Sequence, residues 1–442
     1  MRRLIEPILL KWKNQKDRLP IILRGARQVG KSFIIEKFGR EHFEILLTIN
    51  FEFQPELIQC FDIMDPVAIC AKLEIVTRQR IVPGKTLLFL DEIQNCPQAI
   101  KALRYFKEKL PQLHVIAAGS LLEFALQDEQ FSFPVGRVQF LYLKPMSFYE
   151  YLLSNDNEPL MDYLDHVQID NPADTLVHER LLSHLKEYFL IGGMPAAIKS
   201  FLETKSFLET QVVLGNLLET YRADFPKYST KTQYKNVQLF FDKAPGLVAK
   251  PFKYTQISPD HTSTALKTAL NQLEWAGLVQ KIIATNASGV PLSALAKENK
   301  FKLLFLDIGL TNCADKLDFQ IAWETQLHQI NAGALAEQFV GQELLANADP
   351  HLKAQLYYWE RDKKGSMAEV DYVIQSGSNI IPVEVKAGTT GTLRSLSQFL
   401  TEKNQPFGVR ISQHPLSFHE KILSVPFYLI HKLDSLMQIC LR

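Results

Sequence analysis

The sequence has almost no net charge: 49 Lys and Arg stand against 48 Asp and Glu, a balance of +1. That excludes a chain drawn to nucleic acid as a whole and leaves any such surface to a local patch. Cysteine is scarce. The five present (Cys60, Cys70, Cys96, Cys313, Cys440) form no CxxC pair, which argues against zinc and against a disulfide framework, and for reduced, mostly buried thiols. Nowhere do 18 apolar residues run together, so no membrane-spanning helix is expected. The opening stretch, MRRLIEPILLKWKNQ, breaks its apolar run at Lys11 and does not read as a signal peptide. Internal repeats and low-complexity linkers are also missing. These absences predict a soluble, cytoplasmic protein with no membrane partner. What is present is ordinary globular material, 46% hydrophobic and 22% charged, in a chain of 442 residues. That is too long for one core and suggests two to four domains.

Four textures follow one another. Residues 1–140 alternate short apolar runs with amphipathic patterns: strands at Pro20–Arg24, Ile45–Phe51, Thr86–Leu90 and His114–Ala118, and a helix from Lys31. Such alternation predicts a parallel sheet covered on both faces. Residues 141–240 read as helices, with long patterns at Val177–Leu190 and Phe207–Tyr221. Residues 241–330 open on a helix-turn-helix-like stretch and hold a strand-like run from Lys302. Residues 331–442 give a helix at Ala334–Ala346, strands at Gln355–Glu360, Glu369–Ile374 and Ile380–Lys386, and a helix at Leu393–Leu400.

The sharpest signal is GARQVGKS, residues Gly25, Ala26, Arg27, Gln28, Val29, Gly30, Lys31 and Ser32, followed by Phe33. It meets the phosphate-loop pattern G-x-x-x-x-G-K-[ST], which about one or two chains in a hundred of this length would meet by chance. An apolar strand before it and a helical pattern after it narrow that further. Glycines turn the backbone so that its N–H groups face phosphate oxygens, and the following helix adds its dipole. Lys31 is expected on the β- and γ-phosphates, and the Ser32 hydroxyl on Mg²⁺. Leu87–Leu90 followed by Asp91 and Glu92 is a buried strand ending in two carboxylates. Asp91 there would order the Mg²⁺ shell, and Glu92 would polarise the attacking water. Ser120 ends the next strand, either as a γ-phosphate sensor or as a plain strand-end serine. The expected cofactors are therefore ATP and Mg²⁺.

Taken in order, GARQVGKS, FLDEIQ, AAGS and FPVGRV make the chain resemble a large prokaryotic family of AAA-type, STAND-like P-loop ATPases. Its members carry a C-terminal domain of unknown function, and the resemblance covers essentially the whole chain. Leu121 departs from it, since many relatives place a second small polar residue there. The resemblance implies an α/β fold class: a P-loop NTPase parallel sheet, a helical lid, a winged-helix-like module and a C-terminal α/β nuclease-like domain. It also offers Arg137 as an arginine finger or sensor, against a surface or structural arginine. Pro195, in Ile191-Gly-Gly-Met-Pro195, resembles the lid proline that packs on adenine, against a plain proline at the first position of a helix.

In Thr255–Val279, a helix bearing Ala265, Leu266, Ala269, Leu270 and Leu273 on one face leaves Lys267, Thr268, Asn271 and Gln272 largely outside it. Two readings stand: a recognition helix for DNA, or a lid or protein-contact module.

The C-terminal region places Asp371 on one strand and Glu384-x-Lys386 on the next. Side chains two apart on a strand share a face, so Glu384 and Lys386 point the same way. Asp371 and Glu384 could chelate a second divalent metal ion while Lys386 orients water beside a phosphate. The pattern resembles the PD-(D/E)xK nuclease core, with Glu337 on the preceding helix as its first acid and the helix with Ser395 and Gln398 following. The opposing reading is a salt-bridge cluster on an inactive core. Expected partners are ATP with a nucleic acid, DNA included, or a protein; oligomeric state is left open. The functions that follow are an ATP-driven switch coupled to a nuclease-like domain, an ATP-gated protein scaffold, or a winged-helix DNA-binding regulator.

Overall fold

The computed structural model describes residues 1–126, 136–155, 157–324, 332–361, 368–388 and 392–441. They form two compact units. One is Met1–Lys144 with Trp275–Gly277 and Asp349–Lys353; the other is Pro145–Glu274, Leu278–Ala348 and Ala354–Arg442.

In the first unit, strands β1 (Ile21–Arg24), β2 (Ile45–Asn50), β3 (Thr86–Asp91), β4 (His114–Gly119) and β5 (Gln139–Tyr142) lie in the order β2-β3-β4-β1-β5. Every pairing is parallel. Parallel neighbours cannot be joined by a tight turn, so helices Lys31–His42, Pro66–Thr77 and Pro97–Lys109 carry the crossovers. Strands β1, β3 and β4 are buried along their whole length, which is why they read as unbroken apolar runs. Ile22, Leu88, Leu90, Val115 and Ala117 share one core cluster with Ile100, Leu103 and Phe106 of the last crossover helix. Because β4 lies between β3 and β1, the order gathers their C-terminal ends, where ligands of such sheets bind. Gly25, Asp91-Glu92 and Ser120 therefore meet at one rim.

The second unit combines helices, among them Thr175–Ile191 and Phe207–Asp224, with a mixed sheet of eight strands. These are β6 (Val279–Thr285), β7 (Ala296–Phe305), β8 (Leu356–Glu360), β9 (Glu369–Ser376), β10 (Asn379–Val385), β11 (Gly408–Ser412), β12 (Ser417–His419) and β13 (Ile422–Pro426). Their order is β12-β13-β11-β10-β9-β8-β6-β7. The parallel pairing of β6 with β8 joins the β6–β7 hairpin, from the third region of the sequence, to the strands of the fourth. Helix Ser263–Trp275 buries Leu266, Ala269, Leu270 and Leu273 and leaves Lys267 exposed. Gln272 departs from its expected place outside the apolar face. It is buried, because its amide donates to the Tyr228 carbonyl at 3.2 Å and to Gln233 Oε1 at 3.3 Å. Among the described residues no helix is long and apolar enough to cross a membrane.

Candidate functional site

The loop after β1 is shaped by its glycines. Gly25 has φ +150°, and a Cβ there would stand 2.2 Å from the Leu143 carbonyl oxygen, so no larger residue fits. Gly30, at φ +93°, is the N-cap of helix Lys31–His42, a backbone state that glycine adopts at little cost. Gln28 is also left-handed, at φ +64°. Between them Ala26 and Val29 are buried, and Arg27 pairs with Glu52 at 3.1 Å. Phe33, by contrast, is exposed.

Lys31 is only 7% exposed. Its ammonium donates to the carbonyls of Gly25 at 2.9 Å and Ala26 at 2.7 Å. Burial pushes its pKa down to about 8, against the pull of the Glu92 and Asp91 carboxylates. Ser32 Oγ donates to Asp91 Oδ2 at 2.8 Å, and Asn50 Nδ2 donates to the same oxygen at 3.2 Å. Burial raises Asp91 above the ordinary carboxylate range, with the Ser32 hydrogen bond opposing. Glu92 sits at φ +50°. Its Oε2 accepts from Gln94 Nε2 at 2.6 Å and, more weakly, from Ser120 Oγ at 3.5 Å. Ser32, Asp91, Glu92 and Ser120 thus share one hydrogen-bond network in the first unit, with Lys31 within electrostatic reach of both carboxylates. Hard oxygen donors side by side, Ser32 Oγ and Asp91 Oδ2, suit Mg²⁺, which keeps several waters and takes few protein ligands. Residues and group fit.

Asn50 and Gln94 escaped the sequence reading. Asn50 stands opposite Asp91 in the β2–β3 register, which no local pattern reveals. Gln94 lies inside FLDEIQ, and its signal was its place two residues after Glu92.

Other expected residues stand elsewhere. Arg137 Nε donates to Glu108 Oε1 at 3.1 Å, in a half-exposed ion pair that Arg104 shares. The neighbouring 133–135 of FPVGRV lie outside the described residues. Pro195 belongs to the second unit and begins helix Pro195–Thr204. The glycines before it have a packing reason. A Cβ on Gly193 would meet the Met146 carbonyl oxygen at 2.1 Å and the Tyr188 hydroxyl at 2.6 Å, and the Gly193 N–H donates to Asp307 Oδ2 at 2.6 Å. Asp307 is fully buried, and burial lifts its pKa to about 6 against several N–H donors.

In the second unit Glu337, Asp371 and Glu384 come together near Lys302 of β7, which the sequence reading gave only as the start of a strand. Its ammonium donates to Glu337 Oε2 at 3.1 Å, pairs with Glu369, and lies 3.9 Å from Asp371 Oδ1. Lys302 is 1% exposed. Burial opposes its charge, but Glu337, Glu369 and Asp371 outweigh that and raise its pKa above the usual lysine range. Asp371 Oδ2 accepts the Val385 N–H at 2.8 Å, and burial raises its pKa. Glu384 Oε1 accepts from Lys386 at 2.7 Å, while Glu384 Oε2 is buried with no hydrogen-bond partner among the described residues. Burial, then the Asp371 charge, lift Glu384 to about 7 and Glu337 to about 8. Among the described residues no three His, Cys, Asp or Glu side chains are grouped to hold a metal ion. With the Lys302 ammonium already among Glu337, Glu369 and Asp371, a divalent ion does not fit this cluster as it stands.

Comparison with known proteins agrees with the first unit. A family described as "AAA domain" matches residues 17–152, a range that holds the five strands of the parallel sheet. Two families described as domains of unknown function, DUF8612 and DUF4143, match residues 182–320 and 332–429. No curated protein sequence matches. Among solved structures, the chain is similar to the Aeropyrum pernix ORC2 protein in its ADP form, at 12% identity over 72% of this chain and 90% of that one, with a TM-score of 0.29. The Thermotoga maritima RuvB Holliday junction branch migration motor is similar at 14% identity over 62% and 87%, with a TM-score of 0.28. AMPPCP-bound DnaA from Aquifex aeolicus follows at 13% identity over 61% and 86%, with a TM-score of 0.25. At such scores these likenesses carry no further argument.

Proposed function

We propose, taking the AAA domain of residues 17–152 as the premise, that the chain is an ATP-hydrolysing switch. The observation that carries this reading is the hydrogen-bonded chain Ser32–Asp91–Glu92 at the rim of the parallel sheet, with Lys31 within electrostatic reach of both carboxylates. Lys31 turns from the Gly25 and Ala26 carbonyls to the β- and γ-phosphate oxygens. Ser32 and Asp91 would hold Mg²⁺, which would supply positive charge at the phosphates. Asn50 fixes the Asp91 carboxylate for that role. Glu92 accepts a proton from the attacking water, and Gln94 and Ser120 hold its carboxylate in place. Arg137 as a finger remains part of this proposal.

The switch acts through the second unit. The first reading of that output is a nuclease-like domain that binds or cuts nucleic acid through Asp371, Glu384 and Lys386. A second reading, a protein-interaction scaffold with no cleavage, is favoured by Lys302 standing among the acids. Amide exchange tests the switch itself. With Mg²⁺ and a non-hydrolysable ATP analogue, exchange within residues 332–441 should change in the wild type and not in Lys31→Ala. Unchanged exchange in wild-type protein shown to hold nucleotide would contradict it. A Mg²⁺- or Mn²⁺-dependent cleavage assay on DNA and RNA with ATP separates the two outputs: cleavage lost in Glu384→Ala supports the first, and none the second.

A further inference from the structure

We propose that Lys302 occupies the place of a divalent cation in the second unit, making the centre of Glu337, Asp371 and Glu384 a metal-free ion-pair core. Its ammonium stands within hydrogen-bond or ion-pair reach of carboxylates from two elements, Glu337 on helix Ala332–Ala346 and Glu369 and Asp371 on β9. Lys302 lies over the Tyr358 ring, 5.3 Å from its centroid, and with 1% of its surface exposed it is not a mobile surface lysine. A divalent ion bound by Glu337 and Asp371 would be pressed against a fixed positive charge in a poorly screened interior.

The remaining oxygens are mostly committed. Asp371 Oδ2 holds the Val385 N–H, and Glu384 Oε1 holds Lys386. Glu384 Oε2 is left without a hydrogen-bond partner among the described residues, and an ion it met would still share the centre with the Lys302 charge. Lys386, which a cleavage centre would aim at water or phosphate, is turned onto Glu384. The cluster is therefore closed by its own cation, and the second unit acts by contact rather than by hydrolysis. This inference stands apart from ATP hydrolysis at Lys31, so either can fail without the other.

The test is Mn²⁺ titration of the full chain without nucleotide, followed by the electron paramagnetic resonance of free Mn²⁺. Wild-type protein, Asp371→Asn and Glu384→Gln should take up the same amount, because none of it binds at this centre. Lys302→Met should take up an additional equivalent, lost again in Lys302→Met/Asp371→Asn. Wild-type Mn²⁺ binding that Asp371→Asn or Glu384→Gln removes would overturn the proposal. So would a folded Lys302→Met that gains none. If circular dichroism shows Lys302→Met unfolded, the comparison of wild type with Asp371→Asn and Glu384→Gln decides alone.

Discussion

Ser32 Oγ donates to Asp91 Oδ2 at 2.8 Å across 59 residues of sequence, tying the phosphate loop after β1 to the carboxylate at the end of β3. On the proposed function this pair would hold Mg²⁺. Asp91→Asn keeps an oxygen for Ser32 but removes the charge. The loss of one charge-assisted contact is worth about 1.5–3 kcal/mol, so ATP affinity in Mg²⁺ should fall by about tenfold or more. Calorimetric titration with Mg²⁺, and again with EDTA, checks this. The gap between wild type and variant should close when the metal is removed.

Gly193 is required by space. An added Cβ would stand 2.1 Å from a backbone oxygen, which cannot swing away as a side chain can. Gly193→Ala should therefore destabilise the second unit by about 1–3 kcal/mol, the usual cost of overpacking. Urea unfolding should show a lowered midpoint with an unchanged slope. An unchanged midpoint would show that the turn relaxes freely.

His431 gives the fold an acid sensitivity. Burial, then the neighbouring Lys432 charge, lower its pKa to about 3, against about 6.5 in an unfolded chain. The folded-state pKa is depressed, so its contribution to stability is complete above pH 6.5 and drains as pH falls toward 3. The slope is at most about 1.4 kcal/mol per pH unit. His431→Phe keeps a ring against Tyr149, whose centroid lies 4.2 Å from that of His431, and cannot titrate. Between pH 7 and pH 5 the variant should lose less stability than wild type in urea unfolding. Equal losses would assign the sensitivity elsewhere.

Lys302→Met should be costly on its own, because it leaves Glu337, Glu369 and Asp371 facing one another without a cation. Breaking a buried ion pair from one side costs about 3–5 kcal/mol. Adding Glu337→Gln removes one of the stranded charges and should recover part of that loss. A double-mutant cycle in urea measures the coupling, and additive effects would mean that the two groups do not interact.

What the sequence revealed follows from how local each feature is. Strand, loop and helix from Ile21 to His42 are contiguous, so the phosphate loop and its flanking elements were legible at once. The parallel sheet followed from alternation, and β3 announced its own carboxylates. Lys302 was not legible as a partner of Glu337. The two lie 35 residues apart, and their meeting depends on helix Ala332–Ala346 packing on β7, which no periodicity encodes. Gly193 was noticed for the proline after it, yet its N–H is held by Asp307, 114 residues away. The amphipathic reading of helix Ser263–Trp275 placed Gln272 outward for want of its distant partners, Tyr228 and Gln233.

The central claim is that ATP is hydrolysed at the site where Glu92 meets Lys31, Ser32 and Asp91. Phosphate release by wild type, Lys31→Ala and Glu92→Gln, beside ATP binding by the same proteins, tests it most directly. Glu92→Gln should bind ATP about as well as wild type and release phosphate 10²–10⁴-fold more slowly, roughly the worth of a general base. Lys31→Ala should fail at binding. Glu92→Gln hydrolysing at the wild-type rate, or wild type no faster than Lys31→Ala, would contradict the account.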